Sequence, residues 1–137
     1  MGYVDRLQKA LLGTLSGGFP QTKRRVSKKG AAYTCVDGDS GTVFVATGIV
    51  TFTLPAVAFT GWHAWFSAIT DNEILILSAE NDNIIGFNDV DLDSVAYTTA
   101  GDQIGGSFYA VSTGAEWLMM PMNYADGVLT QTITLAD

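Results

Sequence analysis

The stretch TVFVATGIVTFTLP, residues 42–55, carries two β-strand patterns in succession and decides the fold class. Its first half contains Val43, Val45 and Ile49, separated mostly by small or polar residues. In its second half apolar residues alternate strictly with threonines: Val50, Phe52 and Leu54 against Thr51 and Thr53. Successive side chains of a strand point to opposite faces of a sheet, so the alternation predicts half-buried strands that end at Pro55.

Similar short segments continue to the C-terminus at intervals of about ten residues. They are GWHAWFSAI, EILILS, NIIGF, SVAYTT, SFYAVST, EWLMMPM and GVLTQTITL. Clusters of Gly, Asn and Asp separate them, as turns require. Because no helical periodicity lies between the segments, they predict a mainly β body, an antiparallel sandwich or barrel. We expect a core that includes Phe52, Phe66, Ile76, Phe87 and Trp117.

Positive charge is confined to the start of the chain. Residues 1–29 hold all seven Lys and Arg with one acid, Asp5, for a net charge of about +6. Residues 30–137 hold thirteen acids and no Lys or Arg, for a net charge of about −13. The body must therefore cohere through apolar burial and backbone hydrogen bonds, and a cationic partner would relieve its self-repulsion.

The N-terminal residues read as an anchoring arm. Five apolar residues recur there at helical spacing: Val4, Leu7, Leu11, Leu12 and Leu15. They predict an amphipathic helix over about residues 3–15, which SGGFP ends. Residues 16–30 then form a basic linker that carries Lys23, Arg24, Arg25, Lys28 and Lys29. We divide the chain into this arm, residues 1–30, and a β-rich domain, residues 31–137.

The chain carries no pattern of an exported or membrane-spanning protein. Asp5, Arg6 and Lys9 interrupt any apolar run at the start, and no run of about 18 apolar residues occurs anywhere. A single cysteine, Cys35, excludes an internal disulfide. We expect a protein made in the cytoplasm that uses no membrane contact.

The body also resembles a known class of module. The strings SGTVFVATGIVTFTLP, NDNIIGFND and DSVAYTTAGDQIGGSFYAVSTGAEWLMMPM, within about residues 40–122, are similar to small β-domains of tailed-bacteriophage virion proteins. Those domains share a TFTLP strand, an I-x-G-F turn strand, a hairpin ending I-G-G and a closing V-S-x-G-x-x-W. The resemblance implies a virion structural protein, such as a capsid decoration (cement) protein or a fibre module, commonly trimeric. The arm lies outside the resemblance.

Few residues offer chemistry. His63 is the single histidine and sits among aromatics on a predicted strand, which favours a structural role. Cys35 has no neighbouring base in sequence and reads as a small, half-buried thiol. A body without Lys or Arg has only backbone N–H groups and neutral side chains to stabilise an anion. We predict no catalytic residue, no cofactor and no enzymatic activity.

The alternating carboxylates Asp89, Asp91 and Asp93 are the one candidate cation site. Hard cations prefer clustered oxygen ligands, but Ser94 stands where a calcium loop of the EF-hand type needs Gly, and no Glu follows at the required spacing. An acidic edge that protects a sheet from pairing is the favoured interpretation.

The final segment, GVLTQTITLAD, places Leu129, Ile133 and Leu135 on one face. It either closes the sheet of its own chain or crosses to a neighbouring subunit, and the sequence favours neither.

The basic cluster has several possible partners. Five cations can meet phosphates, but no aromatic lies among them to stack bases, and the acidic body would repel a nucleic acid or a membrane surface. Docking on an acidic protein surface, either a capsid or the acidic body of a sister subunit, satisfies both halves of the chain. An inert solubilising tail is the remaining alternative.

The leading hypothesis is a capsid decoration protein of a phage virion, a homotrimer bound to the major capsid protein on the capsid surface. Its anchors would be Leu7, Leu11, Leu12, Leu15, Lys23, Arg24, Arg25, Lys28 and Lys29. The alternative is a receptor- or glycan-binding or adaptor module of a head or tail fibre, which an exposed Trp62, Trp65 or Trp117 would favour.

Overall fold

The computed structural model describes residues 23–122 and 133–137, which form a mainly β domain. The strands in chain order are β1 (Arg25–Lys29), β2 (Tyr33–Thr34), β3 (Thr42–Ala46), β4 (Val50–Thr53), β5 (His63–Ala68), β6 (Ile74–Leu77), β7 (Ile84–Gly86), β8 (Asp89–Leu92), β9 (Ser94–Tyr97), β10 (Ser107–Ser112), β11 (Trp117–Pro121) and β12 (Ile133–Ala136). A 3₁₀ turn at Asp37–Asp39 joins β2 to β3.

The strands form two sheets that pack face to face. The seven-stranded sheet has the order β1-β3-β5-β10-β11-β7-β8, and the five-stranded sheet has the order β12-β9-β6-β4-β2. Rings from both sheets meet in the core, where Phe52 of β4 lies 4.9 Å from Phe66 of β5 and 5.4 Å from Phe44 of β3. The structure is therefore a two-layer β-sandwich.

Both sheets are mixed, whereas the sequence predicted an antiparallel body. β1, β3 and β5 run parallel to one another, and so do β2, β4 and β6. The first six strands alternate between the two sheets. Each of the strands β1 to β4 therefore has its parallel neighbour two strands later in the chain, after the chain has crossed to the other sheet and back. Short turns between strands do not reveal this winding, because a turn looks alike in sequence whether the next strand pairs with its predecessor or crosses to the other layer.

The core contains most of the expected residues. Phe52, Phe66, Ile76 and Trp117 are fully buried. Phe87 is only partly buried and packs edge to face on Phe108 at 6.1 Å.

Strand β3 buries the side opposite to the one that the alternation indicated. Thr42, Phe44 and Ala46 point into the core, and Val43 and Val45 lie on the other face of the sheet. Ile49 of the following turn is 69% exposed. Apolar residues occupy both sides of this strand, so periodicity alone could not identify the buried face.

Strand β1 moves the boundary between arm and domain. The sequence assigned residues 16–30 to a basic linker, but Arg25–Lys29 pairs in register with β3 and begins the seven-stranded sheet. Its burial is slight because it is an edge strand, and this is why it shows no apolar alternation.

The C-terminal strand pairs within its own chain. β12 lies antiparallel to β9, with Leu135 opposite Val95. Leu129 and the predicted helix over residues 3–15, with Leu7, Leu11, Leu12 and Leu15, lie outside the described residues. In the part of the chain that the structure describes, no helix has the length and apolar character that a membrane crossing requires.

Candidate functional site

The outward side of the seven-stranded sheet is the most distinctive surface of the domain. We call it the outer face. It runs from β1 to β7, and no described element covers it. The outer face is largely apolar: Val26, Val43, Val45, Trp65, Tyr109, Val111, Leu118 and Met120. Leu118 and Met120 are 38% and 39% exposed. An apolar surface that continues over several strands is typical of an interaction site.

Trp65 lies at the centre of the outer face. It pairs across the strands with Tyr109, and the two ring centroids are 4.9 Å apart. His63 packs edge to face against Trp65 at 5.5 Å. From the β1 side, the guanidinium carbon of Arg24 lies 4.1 Å from the Trp65 ring centroid, within the range of a cation–π contact. The cluster joins a basic and an aromatic surface at one place.

A shallow depression adjoins this cluster. It has a volume of about 410 Å³ and is lined by Arg24, Val43, Trp65, Ser67, Ser107 and Met122. The hydroxyl oxygens of Ser67 and Ser107 are hydrogen-bonded at 2.7 Å. Met122 is 50% exposed. The depression thus offers a flexible thioether and a stacked ring rather than a set of charged ligands.

Three of the five clustered cations have partners inside the domain. Arg24 lies over Trp65, as described above. Arg25 donates from Nε to the Thr42 hydroxyl at 2.7 Å and also to two carbonyls of the turn before β3. Lys29 Nζ lies 3.8 Å from the ring centroid of Tyr33.

The other two cations are uncommitted. Lys23 and Lys28 are exposed and have no hydrogen-bond or ion-pair partner among residues 23–122 and 133–137. The basic cluster that the sequence treated as a unit therefore consists of three structural residues and two that are available to a partner.

The three tryptophans have different environments. Trp62 and Trp117 are buried and pack edge to face at 5.4 Å. Trp62 Nε1 donates to the Val36 carbonyl at 3.0 Å. Of the three, only Trp65 is outside the core, and sequence reasoning could not separate it from the other two.

His63 and Cys35 both occupy structural positions. His63 Nδ1 lies 3.0 Å from the Gly61 carbonyl, and its ring packs on Trp65. Cys35 is 2% exposed, and burial raises the pKa of its thiol to about 12. A thiol with this pKa carries almost no thiolate near neutral pH, which argues against a nucleophilic role.

The candidate cation cluster differs from the predicted one by one member. Carboxylate oxygens of Asp89, Asp91 and Asp137 lie within 4.8 Å of one another. Asp93 instead accepts a hydrogen bond from the Asp82 backbone N–H at 2.7 Å. Asp137 joins because β12 pairs with β9 and carries the chain end to β8, a contact between distant parts of the sequence.

Contacts within the acidic cluster shift the pKa values of Asp89 and Asp91 in opposite directions. A side-chain hydrogen bond with Asp91 lowers the pKa of Asp89. The hydrogen bond with Asp89 and then its charge raise the pKa of Asp91. All three carboxylates lie at the solvent-facing rim, where such groups commonly need no ion.

Sequence reasoning missed most of the outer face. Tyr109 and Val111 alternate with Phe108 and Ala110 in SFYAVS, and the second pair is buried. The available signal was the lack of charged residues on either side of this strand, which indicates a sheet with two largely apolar faces. No model of a known protein family matches this chain, and a search of curated proteins found no significant match.

Proposed function

We propose that this chain is a non-enzymatic structural protein of a tailed-bacteriophage virion, a capsid decoration (cement) protein. In this proposal it is made in the host cytoplasm, forms a homotrimer and binds the major capsid protein at the outer capsid surface. The N-terminal arm anchors it, and the β-sandwich projects from the shell. The resemblance of residues 40–122 to virion modules supports the class of protein.

The single observation that carries the attachment mode is the contact between Arg24 and Trp65. The described domain begins at Lys23, and the next residue lies 4.1 Å from the ring at the centre of the outer face. The arm therefore joins the domain beside the apolar outer face. A partner that binds the arm would also meet the outer face, so both would contribute to one attachment site.

The arm and the outer face supply complementary interactions. We expect the predicted helix to insert its leucine stripe, Leu7, Leu11, Leu12 and Leu15, into an apolar groove of the coat protein. Lys23 and Lys28 are the cations that remain for carboxylates of a neighbouring protein in the assembled shell, coat protein or sister copy, since Arg25 and Lys29 are engaged within the domain. Lysine side chains are long and adapt to irregular surfaces.

The stabilisation of the shell would be mechanical. DNA pressure separates capsomers, and a protein bound across their joints adds contact area that must be lost before the shell opens. Ordering of the arm on binding costs conformational entropy, so the three arms of a trimer would be needed for firm attachment. The net negative charge of residues 30–137 would discourage particles from adhering to one another.

A truncation tests the anchoring role. A chain that begins at Lys23 lacks the predicted helix but keeps strand β1, whereas removal of residues 1–30 would also remove that strand from the sheet. We expect the shorter truncation to lower binding to undecorated capsids by about tenfold or more in a co-sedimentation assay, while far-UV circular dichroism keeps its β signal. Full-strength binding by this truncated chain would contradict the anchoring role.

A second set of variants tests the outer face. Trp65→Ala and Leu118→Ala should each weaken capsid binding, since both remove exposed apolar area from the proposed contact. Ile49→Ala is the matched control, because Ile49 is an exposed aliphatic residue in the turn between β3 and β4. Equal binding by all three variants would place the coat contact elsewhere.

The second candidate function is a fibre module that binds host glycans, and the outward position of Trp65 favours it. Sugar rings stack on indoles, and the hydroxyls of Ser67 and Ser107 lie nearby. Against it, Arg24 already lies over the Trp65 ring, so a sugar would have to displace that contact. A glycan array decides between the two: clear binding that Trp65→Ala abolishes would favour the fibre module.

A further inference from the structure

The two edge strands of the seven-stranded sheet carry opposite charge. β1 is one edge, and all five described cations lie on it or directly before it. β8 is the other edge, and it holds Asp89 and Asp91, with Asp137 beside them. The sandwich is therefore strongly dipolar across the sheet, a property that net charge alone does not reveal.

The β1 edge is open to a partner. Its backbone pairs with β3 on one side and with no described strand on the other. Lys23 and Lys28 are exposed without a partner among the described residues. Val26 between them is 60% exposed. The edge thus offers unpaired backbone groups, two available ammonium groups and an apolar contact.

The β8 edge is open in the same way and opposite in sign. β8 pairs with β7 alone among the described strands. The pKa of Asp91 is raised by its hydrogen bond with Asp89, by the charge of Asp89 and then by Asp137 and Asp82. Val90, between the two acids, is 69% exposed. Closely spaced carboxylates of this kind are stabilised by an approaching cation.

The two edges cannot neutralise each other within one chain. Six inter-strand spacings of about 4.8 Å separate β1 from β8, a distance of roughly 29 Å. Charges at this distance are screened at physiological ionic strength, where the Debye length is about 8 Å. A second copy of the chain can bring the opposite charges into contact, because its β1 edge can lie directly against the β8 edge of the first copy.

Strand direction permits this contact to extend the sheet. β1, β3 and β5 are parallel, β10 runs opposite to them, β11 and β7 run with them, and β8 runs opposite again. The two edges of the sheet are thus antiparallel. When copies are related by rotation about an axis along the strands, β8 of one copy meets β1 of the next in the antiparallel sense.

We propose that copies of this chain associate head to tail, with the acidic β8 edge of one copy against the basic β1 edge of the next. The contact uses a different surface on each partner, so it repeats around a closed ring, as in a trimer. Lys28 faces Asp89 and Asp91 across it, and Lys23, just before β1, adds to the positive charge of the same edge. This inference deepens the self-association in the proposed function and rests on it.

Charge reversal of one edge at a time tests the pairing in the full-length purified chain, without capsids. Lys23→Glu with Lys28→Glu sets carboxylates at the contact positions of β1 against Asp89 and Asp91, and Asp89→Lys with Asp91→Lys sets ammonium groups on β8 against the lysines of β1. Either pair sets like charges against each other, so we expect association in sedimentation velocity to weaken by about tenfold or more. High salt should weaken the wild-type oligomer in the same direction.

Recombination of the variants separates charge pairing from damage to the fold. A chain with all four substitutions again has opposite charges at the contact positions and should re-form the wild-type oligomer. An equimolar mixture of the two single-edge variants should form mixed complexes. Glu73→Lys with Asp102→Lys, which changes the net charge as much as the Asp89/Asp91 pair does, should leave the oligomer unchanged.

Two results would overturn the inference, and they differ in their consequence. A wild-type chain that stays monomeric at low salt removes both this interface and the homotrimer of the proposed function. A wild-type oligomer that survives either reversal, or that the four-substitution chain fails to restore, removes only the edge assignment. Capsid binding is scored separately by co-sedimentation, so its failure does not bear on this test.

Discussion

Phe44 of β3 and Phe66 of β5 stack almost in parallel at the centre of the sandwich, with ring centroids 5.4 Å apart and an interplanar angle of 10°. The two residues are direct neighbours in the parallel register. Phe52 of the opposite sheet packs against both rings. The stack therefore holds the two layers together, and it exists because successive turns of the chain place aromatics at equivalent positions.

Truncation of this stack should destabilise the domain strongly. Phe66→Ala removes a ring with no exposed surface, and we expect it to lower the free energy of unfolding by about 3–5 kcal/mol. Val45→Ala on the outer face of β3 is the control and should cost much less, since Val45 is only partly buried. Urea denaturation followed by circular dichroism measures both. Similar losses for the two variants would contradict the core assignment.

Gly106 should not tolerate a methyl group. A Cβ at this position would lie 2.7 Å from Cδ2 of Tyr97, whose ring is buried and stacked on Phe108 at 4.6 Å. We expect Gly106→Ala to lower the free energy of unfolding by about 1–3 kcal/mol through overpacking. Gly38→Ala is the matched control, because a Cβ there meets nothing within 4 Å. Thermal unfolding compares the two, and equal midpoints would refute the close approach.

Stability should fall in alkaline solution. Burial raises the pKa of the Cys35 thiol from 9.0 to about 12, and the hydrogen bond to Asp39 raises the pKa of Tyr33 from 10.0 to about 12. As pH rises from about 9 to 12, the unfolded chain releases these protons while the folded chain keeps them, so the free energy of unfolding decreases.

Two substitutions test the origin of this alkaline decrease. Cys35→Ala and Tyr33→Phe each remove one of the two ionisations, so each should flatten the loss of stability above pH 9 relative to the wild-type chain. Urea midpoints measured across this pH range give the slopes. A double variant with the wild-type slope would show that other groups cause the decrease.

Trp65 should account for the quencher-accessible fluorescence. Trp62 is 2% exposed and Trp117 is fully buried, so their emission should be blue-shifted and resistant to acrylamide. Trp65→Phe should remove most of the accessible component. Arg24→Ala should increase the quenching of Trp65, because the guanidinium that covers its ring is lost. Quenching unchanged by Trp65→Phe would place this residue in the core.

The sequence identified the composition of the core better than the path of the chain. Phe52 and Trp117 were expected to be buried because aromatic residues on alternating segments supply most of the apolar area of a small domain. The parallel arrangement of β1, β3 and β5 was not, since the register between strands distant in sequence depends on which layer each strand joins. Burial depends on local pattern, and pairing depends on long-range contacts.

The basic cluster shows the same division at the candidate site. Its position in residues 23–29 was evident from the sequence, and so was the contrast with an acidic body. That Arg25 and Lys29 serve the domain itself, while Lys23 and Lys28 remain available, depends on the turn before β3 and on the Tyr33 ring. Neither neighbour is adjacent to its partner in the chain.

By itself, the sequence determined that the chain is mainly β, that its Lys and Arg residues all lie in residues 1–29, and that only acidic charges follow them. It also offered no evident group of catalytic residues. Only the tertiary structure decided which tryptophan faces outward, which aspartates gather with Asp137, and that opposite charges lie on opposite edges of one sheet. The physical reason is that alternation and composition act along the chain, over a few residues. Edges, faces and clusters arise where strands far apart in sequence come to lie side by side.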